Sequence, residues 1–219
     1  MSLMTLGLIG KKLGMTQIFD QNGVLIPVTI IEAGPCPILN KKEDEKDGYR
    51  ALKLGFEKKP ERKVKKPDAG IFKKLGLTPL RIIREFRVDD ISEFNVGDSL
   101  DVSIFDEGER VNVTGISKGR GFSGTVRRHG THRGPETHGS KYHRAPGSLG
   151  GSSDPSRVFK GKRMPGQYGN RRCTALNLKV VTTDKEKNIL LIKGSVPGHA
   201  NGYLLIRKKQ KKAAKAAKR

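Results

Sequence analysis

The sequence predicts a mainly β protein built on a small β-barrel, and three observations carry that expectation. Short runs rich in Val, Ile and Leu recur along the chain, turn signals separate many of them, and few segments have helical character. The runs are residues 24–32, 50–56, 81–86, 99–105, 110–116, 175–183, 188–193 and 203–207. Asn22-Gly23, Val96-Gly97-Asp98 and residues 184–188 supply turn chemistry. Residues 68–75 read as a short helix, with Asp68 as N-cap and Gly76 as its stop. The mixed-charge stretch 57–66 reads as a solvated loop or peripheral insertion. Aromatic residues make up 5% of the chain and Trp is absent, so the core must rest on Val, Ile and Leu. That suffices for a small β-domain but not for a core running through all 219 residues.

Charge divides the chain more sharply than hydropathy does. The net charge is +22, from 44 Lys plus Arg against 22 Asp plus Glu. Residues 1–115 hold 19 basic and 18 acidic side chains, nearly balanced. Residues 116–175 hold 13 basic and 2 acidic, a net of +11. Residues 176–207 add +3 and residues 208–219 add +7. An excess confined to one internal segment and one tail calls for a polyanionic partner, because each phosphate contact releases counterions. RNA or DNA is the first candidate and an anionic membrane surface the second.

Segment 116–175 also has 12 glycines, four of the five histidines and only four aromatics, Phe122, Tyr142, Phe159 and Tyr168. It lacks apolar periodicity of either kind, so it is read as an insertion ordered by the RNA that neutralises it. Glycine lets a backbone approach phosphates, and Arg and Lys supply the charge. The Ala- and Lys-rich tail adds electrostatic affinity without sequence readout.

Other chemistries find little support. No apolar run approaches the roughly 20 residues that span a bilayer. The first twelve residues lack a basic n-region, an h-region and a cleavage site, which points to a cytoplasmic protein. Residues 119–124 (GRGFSG) fit G-x-G-x-x-G after an expected strand, but Thr125-Val126-Arg127-Arg128-His129-Gly130 is no apolar helix and no acidic residue is placed for a ribose. No nucleotide cofactor is expected. His129, His132, His138 and His143 match no tetrahedral zinc spacing and have no Cys pair beside them, so no metal is expected either. Cys36 and Cys173 form no spaced motif and read as satisfied or partly buried thiols. Cys173 lies beside Arg171 and Arg172, yet no His/Asp constellation accompanies it, and no enzyme is expected.

Five blocks then carry a resemblance. Residues 7–32 (GLIGKKLGMTQIFDQNGVLIPVTIIE), 114–129 (TGISKGRGFSGTVRRH), 137–150 (THGSKYHRAPGSLG), 158–172 (VFKGKRMPGQYGNRR) and 188–198 (NILLIKGSVPG) resemble, in order, the bacterial-type ribosomal protein L3 family of the large subunit. The resemblance runs from about residue 6 to residue 208. It implies a translation-factor-like β-barrel from residues 1–39, 85–117 and 173–208, a small α+β insertion at 40–84, and a long basic arm at 118–172. The basic tail, 209–219, lies beyond it. It further implies a structural constituent of the large subunit that binds 23S-type ribosomal RNA near its 3′ end and nucleates early assembly. The arm would run toward the peptidyl transferase centre, among neighbouring ribosomal proteins. A general nucleic-acid chaperone is the alternative.

Carried over by motif, Lys118, Arg120, Arg127, Arg128, Arg133, Lys141, His143 and Arg144 are expected to contact ribosomal RNA, with His129 beside them. Arg157, Lys160, Lys162, Arg163, Arg171 and Arg172 are expected to do so on the returning half. Two departures stand out. Some members carry a methylated Gln after the PGS block, where this chain has Gly151-Ser152-Ser153-Asp154, so no such modification is expected. Some members also have a Trp near the arm's tip, where this chain has His129 and His132.

Overall fold

A computed structural model describes residues 6–209. The basic tail expected at 209–219 therefore lies outside the described residues but for Lys209. The described residues divide into two compact units, one that runs to Ile116 and resumes at Arg172, the other Ser117–Arg171.

The first unit contains a closed six-stranded barrel. Its strands, in spatial order, are β1 (Gly7–Phe19), β12 (Tyr203–Lys208), β7 (Arg110–Ile116), β10 (Arg172–Asp184), β11 (Ile189–Lys193) and β2 (Leu25–Ala33). Every barrel pairing is antiparallel, and the ring closes through Gly10 opposite Ala33 and Ile9 opposite Leu205. Inward positions follow the two-residue period of a strand: Leu204 and Ile206 on β12, Leu190 and Ile192 on β11, and Val111 and Val113 on β7 are all essentially buried. Fully burying one such side chain stabilises the fold by about 1.5–3 kcal/mol.

A second sheet in the same unit has the order β5 (Leu80–Arg87), β4 (Ala51–Lys58), β3 (Cys36–Lys42) and β6 (Ser99–Leu100). Its buried residues Cys36, Ile38, Leu52, Leu54 and Phe86 join the barrel's apolar core in one cluster. A smaller cluster of Leu39, Phe72 and Leu80 includes the buried face of α2 (Lys66–Leu75); α1 (Asp44–Asp47) is a single exposed turn.

Several local expectations change. The expected strand 99–105 lasts only from Ser99 to Leu100, then tightens into a 3₁₀ turn at Val102–Ile104. The helix at 68–75 starts at Lys66 with Lys65 as N-cap, because Pro67 sets the first helical turn and Asp68 sits inside it. Gly76 does stop it, in a left-handed conformation that accepts no cost from a side chain. Stretch 57–66 is no uniform loop: Glu57 and Lys58 end β4, and Glu61–Lys63 form a 3₁₀ turn.

Strands β1 and β3 escape a propensity reading, since β1 carries three glycines and two lysines and β3 begins Cys36-Pro37. The glycines are there for close approach. A Cβ on Gly7 would sit 2.3 Å from the Ile206 carbonyl oxygen and 2.7 Å from the Phe86 ring.

Candidate nucleic-acid interface

Segment Ser117–Arg171 is built on a backbone-paired ribbon. The Ser117 amide donates to the Arg171 carbonyl at 2.9 Å and the Asn170 amide to the Ser117 carbonyl at 3.2 Å. Arg120 and Tyr168 continue the pairing, with the Arg120 amide donating to the Tyr168 carbonyl and the Tyr168 amide to the Gly121 carbonyl, both at 2.9 Å. Strands β8 (Phe122–Ser123) and β9 (Gly166–Gln167) follow, with Phe122 opposite Gln167 and Ser123 opposite Gly166. Gly169 must be glycine, since its φ is +71° and a Cβ there would lie 2.0 Å from the Lys118 carbonyl oxygen.

The glycine-rich 119–124 motif opens a helix after all, α3 (Thr125–His129), but a five-residue one whose only buried member is Thr125. It places three cationic or imidazole side chains in one turn. Arg127 is exposed, whereas Arg128 and His129 are half-buried and both reach the Met164 carbonyl, Arg128 Nη1 at 2.7 Å and His129 Nε2 at 3.2 Å. These two side chains therefore tie the outgoing half of the segment to the returning half. A charge count cannot distinguish such a tether from a free phosphate ligand.

The remaining expected contacts are exposed. Lys118, Arg120 and Arg133 lie on the outgoing half, followed by Lys141, His143 and Arg144. Arg157, Lys160, Lys162, Arg163 and Arg171 lie on the returning half, and Arg172 begins β10 in the first unit. Arg120 stacks over the Tyr168 ring at 5.1 Å, and Arg157 over Phe159 at 5.3 Å. Arg133 is ion-paired with Glu136, and His143 Nδ1 is 3.0 Å from the Pro135 carbonyl oxygen.

Among the described residues, no group of three or more His, Cys, Asp or Glu could hold a metal ion. No helix among them is long and apolar enough to cross a membrane.

Around the ribbon, Arg128, His129, Gln167, Tyr168, Gly169 and Arg171 line a recess of about 120 Å³. Charge counting singles out three of these residues. Gln167, Tyr168 and Gly169 enter through backbone register, which composition does not encode; the sequence marked them only as part of the 158–172 block, with Tyr168 also one of the segment's four aromatics.

In the first unit, Arg207 is packed against the Phe86 ring at 5.4 Å. Burial, and then the neighbouring charge of Arg172, holds its guanidinium below the usual arginine range. Two like charges held together in this way are a place where an anionic partner relieves repulsion. Most candidate cations thus face solvent, with few carboxylates to neutralise them.

The model of one family, described as ribosomal protein L3, matches residues 87–188. That span begins at the last residue of β5, includes β7 and all of Ser117–Arg171, and ends just before β11. That match, over the basic segment and the strands that flank it, supports the ribosomal protein L3 family, structural constituents of the large ribosomal subunit that bind ribosomal RNA.

Proposed function

We propose that this chain binds 23S-type ribosomal RNA near its 3′ end, nucleates early assembly of the large subunit, and carries residues 118–172 as an arm toward the peptidyl transferase centre. Residues 1–39, 85–117 and 173–208 form the barrel that bears it, with 40–84 as a small insertion. One observation carries this reading most directly. Segment Ser117–Arg171 has 12 basic residues against 2 acidic, and all but Arg128 of those basic side chains are exposed. Phosphate contacts from such a surface dominate affinity and position the protein without reading sequence. The protein's part is structural, and the neighbouring ribosomal proteins complete its setting. The cytoplasm, where ribosomes work, is the proposed location.

The test is replacement of Lys160, Lys162 and Arg163 together by Gln in the full-length chain. Each lost phosphate contact should lower the slope of log affinity against log salt by about 0.7–0.9. Affinity for a large-subunit ribosomal RNA transcript should fall by a factor of ten or more, and gradient sedimentation should show less of the variant in large subunits. Equal affinity and equal incorporation would overturn the assignment. A preference no greater for that transcript than for arbitrary RNA of equal length would favour a general nucleic-acid chaperone instead.

A further inference from the structure

The barrel uses only part of its first hairpin. Strand β12 pairs with β1 from Gly7 to Lys11, and Asn201 and Gly202 extend that pairing to Lys12. Strand β11 pairs with β2 from Val28 to Glu32. Past those points the hairpin runs on as a two-stranded ribbon, with Gln17 opposite Pro27 and Phe19 opposite Leu25. A ribbon of two strands is marginally stable in water by itself.

Its two outer edges are not alike. On β2, the Gly194 amide donates to the Pro27 carbonyl at 2.8 Å, and proline has no amide to offer. That edge is closed. The same bond fixes the phase of the ladder, because a Pro27 carbonyl aimed away from β1 makes Gln17–Pro27 a non-hydrogen-bonded pair. The Asp20 amide, which donates to the Val24 carbonyl at 2.9 Å, agrees: the Phe19–Leu25 pair beside it is then non-hydrogen-bonded as well. By alternation the amides and carbonyls of Met15, Gln17 and Phe19 point outward from β1, where no strand among the described residues meets them.

The side chains of these three residues share one face with Leu25 and Pro27. Phe19 is 72% exposed, Met15 52% and Leu25 48%, so the face is apolar and open to solvent. Exposed edges are ordinarily blunted by lysine or proline, and Gly14–Phe19 has neither. Residues 13–31 hold one charged side chain, Asp20, in a chain that is 30% charged. A polyanion therefore finds no cation on this ribbon. A second copy of the chain is disfavoured by the +22 that each copy carries. An open backbone edge beside an uncharged apolar face fits a strand of another protein.

We infer that the outer edge of β1 at Gly14–Phe19 is completed by an extended apolar strand of a neighbouring protein in the large subunit. That strand pairs with the Met15, Gln17 and Phe19 backbone and packs on the face of Met15, Phe19 and Leu25. It occupies the line that β12 leaves where the chain turns at Gly202, whose amide donates to the His199 carbonyl at 3.1 Å. The contact is about 20 Å long at the rise of a β-strand. This rests on the proposed place in the large subunit and adds to it a surface that meets protein instead of RNA.

The experiment incorporates the photoreactive residue benzoylphenylalanine into the full-length protein, as Met15→benzoylphenylalanine or, separately, Lys160→benzoylphenylalanine. Large subunits are isolated by gradient sedimentation and irradiated, and the crosslinked products are identified by mass spectrometry. Position 15 should crosslink to an apolar segment of another protein, and position 160 to RNA. Adding Gln17→Pro removes an outward amide and no bond between β1 and β2, so it should abolish the crosslink from position 15. Phe19→Lys, which keeps every backbone group, should weaken it and decides the matter if Gln17→Pro does not fold. A crosslink from position 15 to RNA, or none while position 160 still reaches RNA, would overturn the docking edge and leave the RNA reading standing. Failure at both positions would overturn the two together. A protein crosslink that survives the blocking variant would overturn the strand pairing, and one to a second copy of this chain would overturn the choice of partner.

Discussion

All 27 buried apolar residues among those described lie in the barrel-bearing unit, whereas in Ser117–Arg171 the only buried residues are Ser123 and Thr125, both polar. The two units differ in what holds them. The first gains from removing Val, Ile, Leu and Phe from water and places each by strand alternation. The second is tied by backbone pairing, positive-φ glycines and two side chains, Arg128 and His129, that share one carbonyl. Such ties contribute little net free energy in water, since each exchanges one hydrogen bond for another. Exposed cations that would cost nothing in the first unit are the substance of the second. A region that gives up a core in order to present charge depends on the polyanion it meets.

Truncating an apolar side chain in each unit gives the largest expected contrast. Leu190→Ala, at a fully buried barrel position, should destabilise the protein by about 2–5 kcal/mol in urea unfolding. Val158→Ala, at an exposed position in the second unit, should change it by less than about 0.5 kcal/mol. Equal costs would mean that the second unit holds a core of its own.

A smaller effect tests what polar contacts add to the first unit. Glu57 lies at φ +59°, a strained value for a residue with a side chain, and accepts hydrogen bonds from Tyr203 Oη and, at 3.1 Å, from Lys11 Nζ. Arg81 adds an ion pair at 3.5 Å. The Tyr203 hydrogen bond, opposed by partial burial and helped by Lys11 and Arg81, holds the Glu57 carboxyl below its ordinary value of 4.5. Burial, reinforced by Glu57, pushes the Tyr203 phenol above its ordinary value of 10.0. A depressed carboxyl stabilises the fold above its unfolded value, and that gain fades as pH falls through the folded value. A raised phenol does so below its unfolded value, and loses the gain as pH rises through the folded one. Denaturant midpoints should therefore be flat between about pH 5 and pH 9 with respect to this cluster and fall on both sides. Glu57→Gln should flatten the acid limb; an unchanged acid limb would show that the cluster adds nothing.

The smallest effect, on stability at least, concerns the two thiols. Cys36 is buried, its Sγ donates to the Ile9 carbonyl at 3.4 Å, and burial pushes it up to about 12. Cys173 is partly exposed on β10. Titration with a thiol reagent near pH 8 should modify one cysteine in the native protein and two after denaturation. Rapid modification of both in the native state would show that the core around Cys36 opens readily.

Most of the strands were legible because burial on one face imposes a period of two, as at 189–193 and 203–208. Strand β1 was not, because Gly7 and Gly10 are chosen for the backbone and side chains they approach, and those neighbours are remote in sequence. The start of α2 shifted because Pro67 outweighed the capping preference of Asp68. In the candidate interface, the cations were visible as composition, but their division of labour was not. Arg127 and Arg128 are adjacent and chemically identical; only the position of the Met164 carbonyl makes one a tether and leaves the other exposed.

The sequence by itself determined that this protein is mainly β, that its charge excess is concentrated in one glycine-rich segment, and that the segment has no apolar period from which to build a core. Those properties are local or additive, so they can be counted along the chain. The tertiary structure alone decided that six strands close into a ring, that Phe122 stands opposite Gln167, and that Arg128 and His129 converge on one carbonyl. Each of these joins residues tens of positions apart, and no count along the chain contains the register that brings them together.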